Sequence, residues 1–324
     1  MKTPALILAL LCAVSPVLAA EVTDSTGQIV VIPDHAERIL PAGPPAAVLL
    51  AAIAPGQMIG FPLPVTEAGR ADLAPAAGAL PMIPRLTGQG EMTAAILSLH
   101  PDLIIDYGSI SPRYRQLARD IQQKTGVPAL LFDGALDQIP AVARTIGQIT
   151  RQTGRAETVA RIAEAILALP VAADRHPSVL YARGADGLTA AAAGTEITAI
   201  FDRLGWHVAA PDGSGPFRRT TVAAIRALDP DIVILSDPAA KPVLTAPEWA
   251  GLRAVREGHA YIAPSEPFGW VEEPPSINRL LGLAWLGGGD PRTLAALFNA
   301  AVYDLVLTGD QLMAVAGTAP SLPR

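Results

Sequence analysis

The sequence predicts an α/β protein of two similar lobes, each built on a mostly parallel central sheet, with a ligand cleft between them. Three observations carry that prediction. The first is a near-repeat: Thr93–Asp106 reads TAAILSLHPDLIID and Val222–Leu235 reads VAAIRALDPDIVIL. The two match without a gap at a pair of alanines, an isoleucine, a leucine, the Pro-Asp pair and a second isoleucine. The second is a change of period inside each copy. Helical spacing at Ile96/Leu99 and Ile225/Leu228 gives way, at the Pro-Asp pair, to the buried-strand runs Leu103-Ile104-Ile105 and Ile232-Val233-Ile234. The third is length: 324 residues, half of them apolar, suffice for two cores of ordinary domain size. One helix–turn–strand unit in each half then reads as two related lobes.

Taken in order, the chain opens with Lys2, an apolar run Ala5–Val14, a break at Ser15-Pro16 and the small pair Ala19-Ala20. This is the pattern of an export leader over residues 1–20, cleaved near Ala19/Ala20, because the apolar run is too short to span a bilayer. Cys12 is the only cysteine, and Leu11 before it is not the small residue of a lipoprotein leader, so the mature chain is expected to hold no thiol and no disulfide. Glu21–Val31 reads as a hairpin about Ser25-Thr26-Gly27-Gln28. Arg38-Ile39-Leu40 enters a strand that stops at Pro41–Pro45, Ala46–Ala54 follows as a buried helix, and Met58–Phe61 is a second strand ending in the loop Pro62–Thr66. Beyond the first copy come a helix at Tyr114–Lys124 and a strand at Val127–Phe132.

Ile139–Thr150 and Arg155–Leu169 are helical by spacing, the latter with an apolar face of Val159, Ile162, Ala163, Ile166 and Leu167 and a stop at Pro170. Residues 151–172 are therefore expected to connect a lobe over 21–150 to one over 173–324, and a helical connector holds two lobes at a nearly fixed separation. The second lobe runs through Ser178–Tyr181, Thr198–Leu204, the second copy and a strand at His259–Ala263. It ends in helices at Ser276–Leu286 and Pro291–Leu307.

The formal charge of −6 becomes −7 without Lys2, which gives no reason to expect a nucleic-acid partner. No later apolar stretch reaches membrane-spanning length, so the expectation is an exported protein of the periplasm. The five histidines, His35, His100, His176, His207 and His259, are far apart and lack ligand spacing, so no bare metal site is expected. Gly88-Gln89-Gly90 has Thr93 where a dinucleotide fingerprint needs its third glycine, and Asp212-Gly213-Ser214-Gly215 lacks the spacing of a nucleophile elbow. An exported hydrolase is the rival class, and Ser214 with His207 offers it no geometry.

The leader, the strand at Arg38–Leu40, the paired Pro-Asp units, the helical connector, and the late block Pro267-Phe268-Gly269-Trp270 followed by Pro274-Pro275-Ser276-Ile277-Asn278-Arg279 resemble a known family. They are similar to periplasmic substrate-binding proteins of ABC importers for ferric siderophores, haem and cobalamin, the class III group with a helical backbone. The resemblance spans essentially the whole mature chain. It implies two lobes joined by one long helix, a cargo in the cleft, little hinge motion, no catalysis, no cofactor and a monomer. Its implied partner is an inner-membrane permease with a cytoplasmic ATPase. The cargo it implies is an iron complex, ferric siderophore or haem, with cobalamin or a molybdate- or tungstate-type oxyanion as alternatives. One departure stands out. Relatives carry a Glu seven residues before each Pro, and these carboxylates dock on permease arginines, whereas this chain has Ala94 and Ala223 there. Glu91 and Glu67 are the nearest acids of the first lobe that can substitute, and Arg218-Arg219 precede the second copy.

Ligands of open α/β lobes sit beyond the carboxyl ends of strands. The candidate loops are Pro41–Pro45, Phe61–Thr66, Arg85–Glu91 and Tyr107–Tyr114 in the first lobe. In the second they are Arg183–Gly187, Asp212–Arg219, Asp237–Pro242 and Ser265–Glu273. Iron chelates are bulky, often anionic and flat-faced, so a fitting cleft pairs aromatic faces with guanidinium groups. Tyr107, Tyr114, Phe217, Phe268 and Trp270 supply the first, five of the chain's 15 aromatic residues. Arg113, Arg183, Arg218 and Arg219 supply the second. With haem as cargo, Tyr107 or Tyr114 can serve as axial ligand. Against these stand the usual exposure of arginine and the usual burial of a large aromatic such as Trp270; Tyr181, on a strand, reads as core.

Overall fold

The computed structural model describes residues 19–62, 69–70, 73, 75–86, 92–170 and 176–315. The expected leader up to residue 18, and the docking candidates Glu67 and Glu91, lie outside the described residues. Strands β1 (Ala19–Thr23) and β2 (Ile29–Pro33) form the expected antiparallel hairpin. Asp24 shapes its turn by accepting from the Thr26 and Gln28 amides at 2.8 and 3.0 Å, and Gly27 takes φ 83°, a conformation open to a residue without Cβ.

The first lobe holds a parallel sheet of β3 (Ile39–Pro41), β4 (Leu103–Gly108) and β5 (Ala129–Asp133), in that order. Against it pack α1 (Pro44–Ile53), α2 (Met92–Ser98) and α3 (Pro112–Thr125). The expected strand at Met58–Phe61 is reduced to single bridges, Ile39 with Met58 and Phe61 with Met82. Pro62 follows at once and has no N–H to extend a ladder. Then come α4 (Ile139–Ile149) and the connector α5 (Thr153–Leu167).

The second lobe is a mixed sheet of β6 (Ser178–Arg183), β7 (Thr189–Ala191), β8 (His207–Val208), β9 (Phe217–Arg219), β10 (Ile232–Leu235) and β11 (Ala260–Ile262). Its order is β11-β10-β6-β7-β9, with β8 also on β6; β7 runs antiparallel to its neighbours β6 and β9, and the other pairings are parallel. Thr198–Leu204 contributes the short helix α6 (Ala199–Arg203), and α7 (Val222–Leu228), α8 (Arg279–Leu286) and α9 (Pro291–Val302) are the lobe's longer helices.

The repeated unit is α2–β4 in one lobe and α7–β10 in the other. The residues before the Pro, His100 and Asp229, both take left-handed backbone, φ 49° and 44°, where each helix ends. The Asp after the Pro does the same work twice. Asp102 Oδ2 accepts from the Glu37 and Arg38 amides at 2.7 and 3.0 Å where the chain enters β3. Asp231 Oδ2 accepts from the Ser178 amide and hydroxyl at 2.7 and 2.8 Å at the start of β6. Each copy thus fixes the chain at the entrance of the neighbouring strand. Ala94 and Ala223, the departures from the docking pattern, are both exposed on their helices.

One apolar core runs through both lobes. It joins Leu49, Tyr107 and Phe132 of the first, Val159, Ala160 and Ala163 of the connector, and Tyr181, Phe201, Trp270 and Trp285 of the second. Arg155 of α5 reinforces the joint by donating to the Ala52 and Val302 carbonyls at the ends of α1 and α9, and it pairs with Asp304. No helix among the described residues is long and apolar enough to cross a membrane.

Candidate functional site between the lobes

Beyond the carboxyl ends of β3, β4 and β6 lies a cavity of about 600 Å³ walled from both lobes. The first lobe gives Gly43-Pro44-Pro45 at the start of α1, Arg85 and Leu86, the end of β4 from Asp106 to Ser109, and Arg113, Tyr114 and Leu117 on α3. The second gives Arg183 at the end of β6, Glu196, and Glu273-Pro274-Pro275. A second cavity of about 810 Å³ lies beyond Gly108, Ser109 and Glu196, lined by Arg115, Asp133, Asp202, Arg203 and Arg279 among others.

Local sequence explains the first-lobe wall. Pro44 and Pro112 open their helices, where a missing N–H costs nothing and the fixed φ suits the first turn. Among the described residues neither N-cap residue, Gly43 or Ser111, makes a side-chain capping bond, so the positive end of α1 is left to the cavity, while α3 starts between the two cavities, with Ser111, Pro112 and Arg115 on the second and Arg113 and Tyr114 on the first. Asp106 lies beside the start of α1, close to Gly43. Arg113 leans over the Tyr114 ring, 5.9 Å from its centroid. Among the described residues neither Arg113 nor Arg85 pairs with a carboxylate.

The second-lobe wall is arranged around Arg183. Its guanidinium lies 3.7 Å from the centroid of the Phe217 ring, donates to the fully buried Glu272 carboxylate, and approaches Glu273 at 3.3 Å. Glu196 reaches across to the first lobe, where Gly108 and Gly134 make room. A Cβ on Gly134 would sit 2.7 Å from Gly108 Cα and 2.9 Å from Glu196 Oε1. That oxygen is buried and has no hydrogen-bond partner among the described residues. The Glu196 carbonyl accepts from Arg279 at 3.2 Å, and the fully buried Arg279 also donates to the Ser276 carbonyl and, across the lobe boundary, to that of Gly134.

Three cavity carboxyl groups are held above the usual carboxylate range, in each case chiefly by burial. For Asp106 the Tyr107 amide opposes the shift and Glu196 adds to it. For Glu196, Arg279 opposes and Asp133 adds. For Glu273 the neighbouring Glu272 adds and Arg183 opposes. Burial likewise pushes the Tyr107 phenol up to about 12.

Of the sequence-predicted site residues, the structure brings Tyr107, Arg113, Tyr114 and Arg183 to the cavity. Tyr107 does so as its floor, only 1% exposed, so Tyr114, 39% exposed, is the tyrosine free to meet a cargo. Phe268 and Trp270 correct the expectation. They are 2% and 0% exposed in the shared core, Phe268 packing against Phe61 and Tyr303 at centroid distances of 6.1 and 6.3 Å. The loop that carries them turns its aromatic side chains inward and leaves Glu273, Pro274 and Pro275 at the surface of the cavity.

Phe217, Arg218 and Arg219 are a second correction. They form β9 at the sheet edge, off the cavity wall, where Arg218 donates to the Pro211 carbonyl and Arg219 pairs with Asp186. Phe217 touches the cavity only through Arg183. The residues that sequence reasoning missed are Arg85, Asp106, Glu196 and Glu273. Three of them lie within or next to a candidate loop, and the clue to their roles was their polarity at strand exits. Glu196, in an alanine-rich stretch, gave no local signal.

The model of a family described as periplasmic binding protein matches residues 83–267, more than half of the chain. No curated protein matches it in sequence. Among solved structures, an ABC transporter solute binding protein from Sulfurospirillum deleyianum superposes with TM-score 0.80 at 22% identity, covering 91% of this chain and 98% of that one. A periplasmic solute binding protein from Veillonella parvula gives 0.71 at 22% identity, covering 92% and 97%. The molybdate-binding MolA of Haemophilus influenzae gives 0.67 at 17%, covering 89% and 99%. Identities this low speak to fold, and the fold agrees with the family match: the chain belongs to the periplasmic binding proteins, whose members deliver small-molecule cargo to ABC permeases.

Proposed function

We propose that this protein captures an iron complex, a ferric siderophore before haem, in the cavity between its lobes and hands it to an inner-membrane ABC permease. The observation that carries the reading is the cavity itself: about 600 Å³, walled from both lobes, with Arg85, Arg113 and Arg183 around Tyr114. That volume falls in the range that encloses a drug-sized ligand. Guanidinium groups beside an aromatic face suit the anionic oxygens and flat surface of a chelate. A siderophore fills the coordination sphere of iron itself and needs no protein ligand, in keeping with a cavity wall that contains no histidine among the described residues. Haem would have Tyr114 as its ligand, since the Tyr107 phenol is buried.

A molybdate-type oxyanion, the cargo named for the Haemophilus influenzae neighbour, is the second reading, favoured by the uncapped start of α1 at the cavity and that of α3 between the two cavities. Against it, Pro44, Pro45 and Pro112 remove backbone N–H groups from the first turns that would grip such an anion. Export through a leader over residues 1–20 belongs to the same proposal. Cleavage after Ala20 would leave Glu21–Thr23 of β1 paired in the hairpin. The experiment is to purify the protein from its native periplasm and record metal content and visible spectrum, then titrate the cargo-free protein with a ferric hydroxamate, haemin, cobalamin and molybdate. Iron with a weak visible band is the expected result. A Soret band, cobalt or molybdenum would each redirect the assignment.

A further inference from the structure

Resting on the iron-chelate reading, we infer that the cargo is amphoteric: it turns anionic oxygens to the first lobe and a cationic donor, an ammonium group, to the second. The two walls of the cavity differ in sign. On the first-lobe side Arg85 and Arg113 pair with no carboxylate among the described residues, and Arg113 stands in the first turn of α3 with Tyr114 beside it on the same wall. Asp106, the acid on that side, accepts from the Tyr107 amide at 2.9 Å and lies beside Gly43 at the end of α1. On the second-lobe side Arg183 is the cation of this wall among the described residues and is paired with Glu272 behind it, and Arg279, off this wall, partly offsets the charge of Glu196. Glu273 and Glu196 remain as an excess of negative charge facing the same space.

Glu196 is the sharper of these two acids. Its Oε1 is buried with no hydrogen-bond partner among the described residues, and its backbone is fixed by the buried Arg279. A buried carboxylate oxygen without a donor is costly in the empty protein, and a cation that the ligand brings against the same carboxylate offsets that cost. A wholly anionic cargo would instead bring like charge against Glu196 and Glu273, an arrangement that selects against it.

The test uses two probes: a linear ferric trihydroxamate ending in a free primary ammonium, and the same chelate with that amine acetylated. Titration calorimetry on the full mature chain should find the ammonium form bound at least about tenfold more tightly, the usual scale for a hydrogen bond to a charged group. Glu196→Gln keeps the shape and removes the charge, and should bring the two affinities to within about threefold of each other; Glu273→Gln should narrow the gap less. Arg113→Gln should weaken both chelates alike. Equal binding of the two probes by the wild type, or a preference that survives in both glutamine variants, overturns the amphoteric cargo and leaves the iron-chelate reading standing. Failure of both chelates to bind the wild type overturns that reading and this inference with it.

Discussion

The two copies of the helix–turn–strand unit hold their sheets alike but meet the cleft differently. In both, a residue in left-handed backbone ends the helix and the Asp after the Pro anchors the start of the adjacent strand. Past the strand they diverge. The first copy runs from β4 through Gly108 into α3 and places Arg113 and Tyr114 on the cavity. The second runs from β10 through Ser236 into a short 3-10 turn away from it, and the second lobe supplies its wall from β6 and the loop around Glu273. A duplicated unit therefore conserves how a lobe is built and leaves the cargo face to the loops, in line with the general division between rigid scaffold and functional loop.

The largest expected effect separates the aromatic residues of the two lobes. Trp270 is wholly buried in the shared core and Tyr114 stands 39% exposed on the cavity. Trp270→Ala should lower unfolding stability by roughly 3–5 kcal/mol, the cost of removing a large buried aromatic. Tyr114→Ala should change it by less than about 0.5 kcal/mol while weakening cargo binding. Urea titration of both variants checks this, and a costlier Tyr114→Ala would reverse the assignment of core and wall.

The repeated aspartates come next. Asp231 holds Ser178 through one oxygen and accepts from Arg253 at 2.9 Å through the other, whereas Asp102 holds two amides and leaves Oδ1 buried without a partner among the described residues. Asp231→Ala should thus cost about 2–3 kcal/mol and Asp102→Ala about 1–2 kcal/mol. Equal losses would mean that the Arg253 contact adds nothing.

Acids of the scaffold and of the cleft should also respond to pH with opposite sign. Burial works to raise the Asp231 pKa, but the Ser178 amide and hydroxyl and the Arg253 guanidinium together hold it below the usual range. Its contribution is complete above the unfolded value near 3.9 and is lost as pH falls through the folded value. Glu196 is raised by burial, so its ionisation burdens the fold above its folded pKa, and the burden is gone below the unfolded value of about 4.3. Asp231→Asn should be destabilising at pH 7 and converge on the wild type in strong acid. Glu196→Gln should be stabilising at pH 7, and that gain should vanish by about pH 4. Melting temperatures across pH read both, and parallel curves would remove the distinction.

What the sequence made legible follows from where its signals are local. The period change at Pro101-Asp102 and Pro230-Asp231 located two helix–strand boundaries, and the turn at Ser25–Gln28 located the hairpin. The direction of side chains on loops is a tertiary property. Phe268 and Trp270 were placed on the right loop but face the core, because the space between Phe61 and Tyr303 takes Phe268. Arg219 was credited to the cleft because nothing in a sequence says that Asp186, 33 residues away, already holds it. Glu196 was invisible for a related reason. What singles it out is the gap left by Gly108 and Gly134 in the other lobe.

The smallest effect expected concerns the lobes as bodies, and it follows from what they share. Domains that close widely on a ligand are joined by a few residues able to absorb large backbone changes. Here the joint is α5, with no Pro or Gly between Ala156 and Leu167, and helices without such residues resist kinking. Its Val159, Ala160 and Ala163 belong to the core that continues into both lobes, so bending it would open packed apolar surface. The Phe61–Phe268–Tyr303 contacts, Arg155 at the ends of α1 and α9, and Arg279 on the Gly134 carbonyl each span the same boundary. Small-angle scattering with and without cargo should therefore give the same radius of gyration within error. Arg279→Met, which removes one of these ties but keeps an apolar stem, is the variant most able to loosen the lobes. A contraction on ligand addition in the wild type would show that the shared core yields, while one confined to Arg279→Met would identify that guanidinium as the tie that holds the cleft at its width.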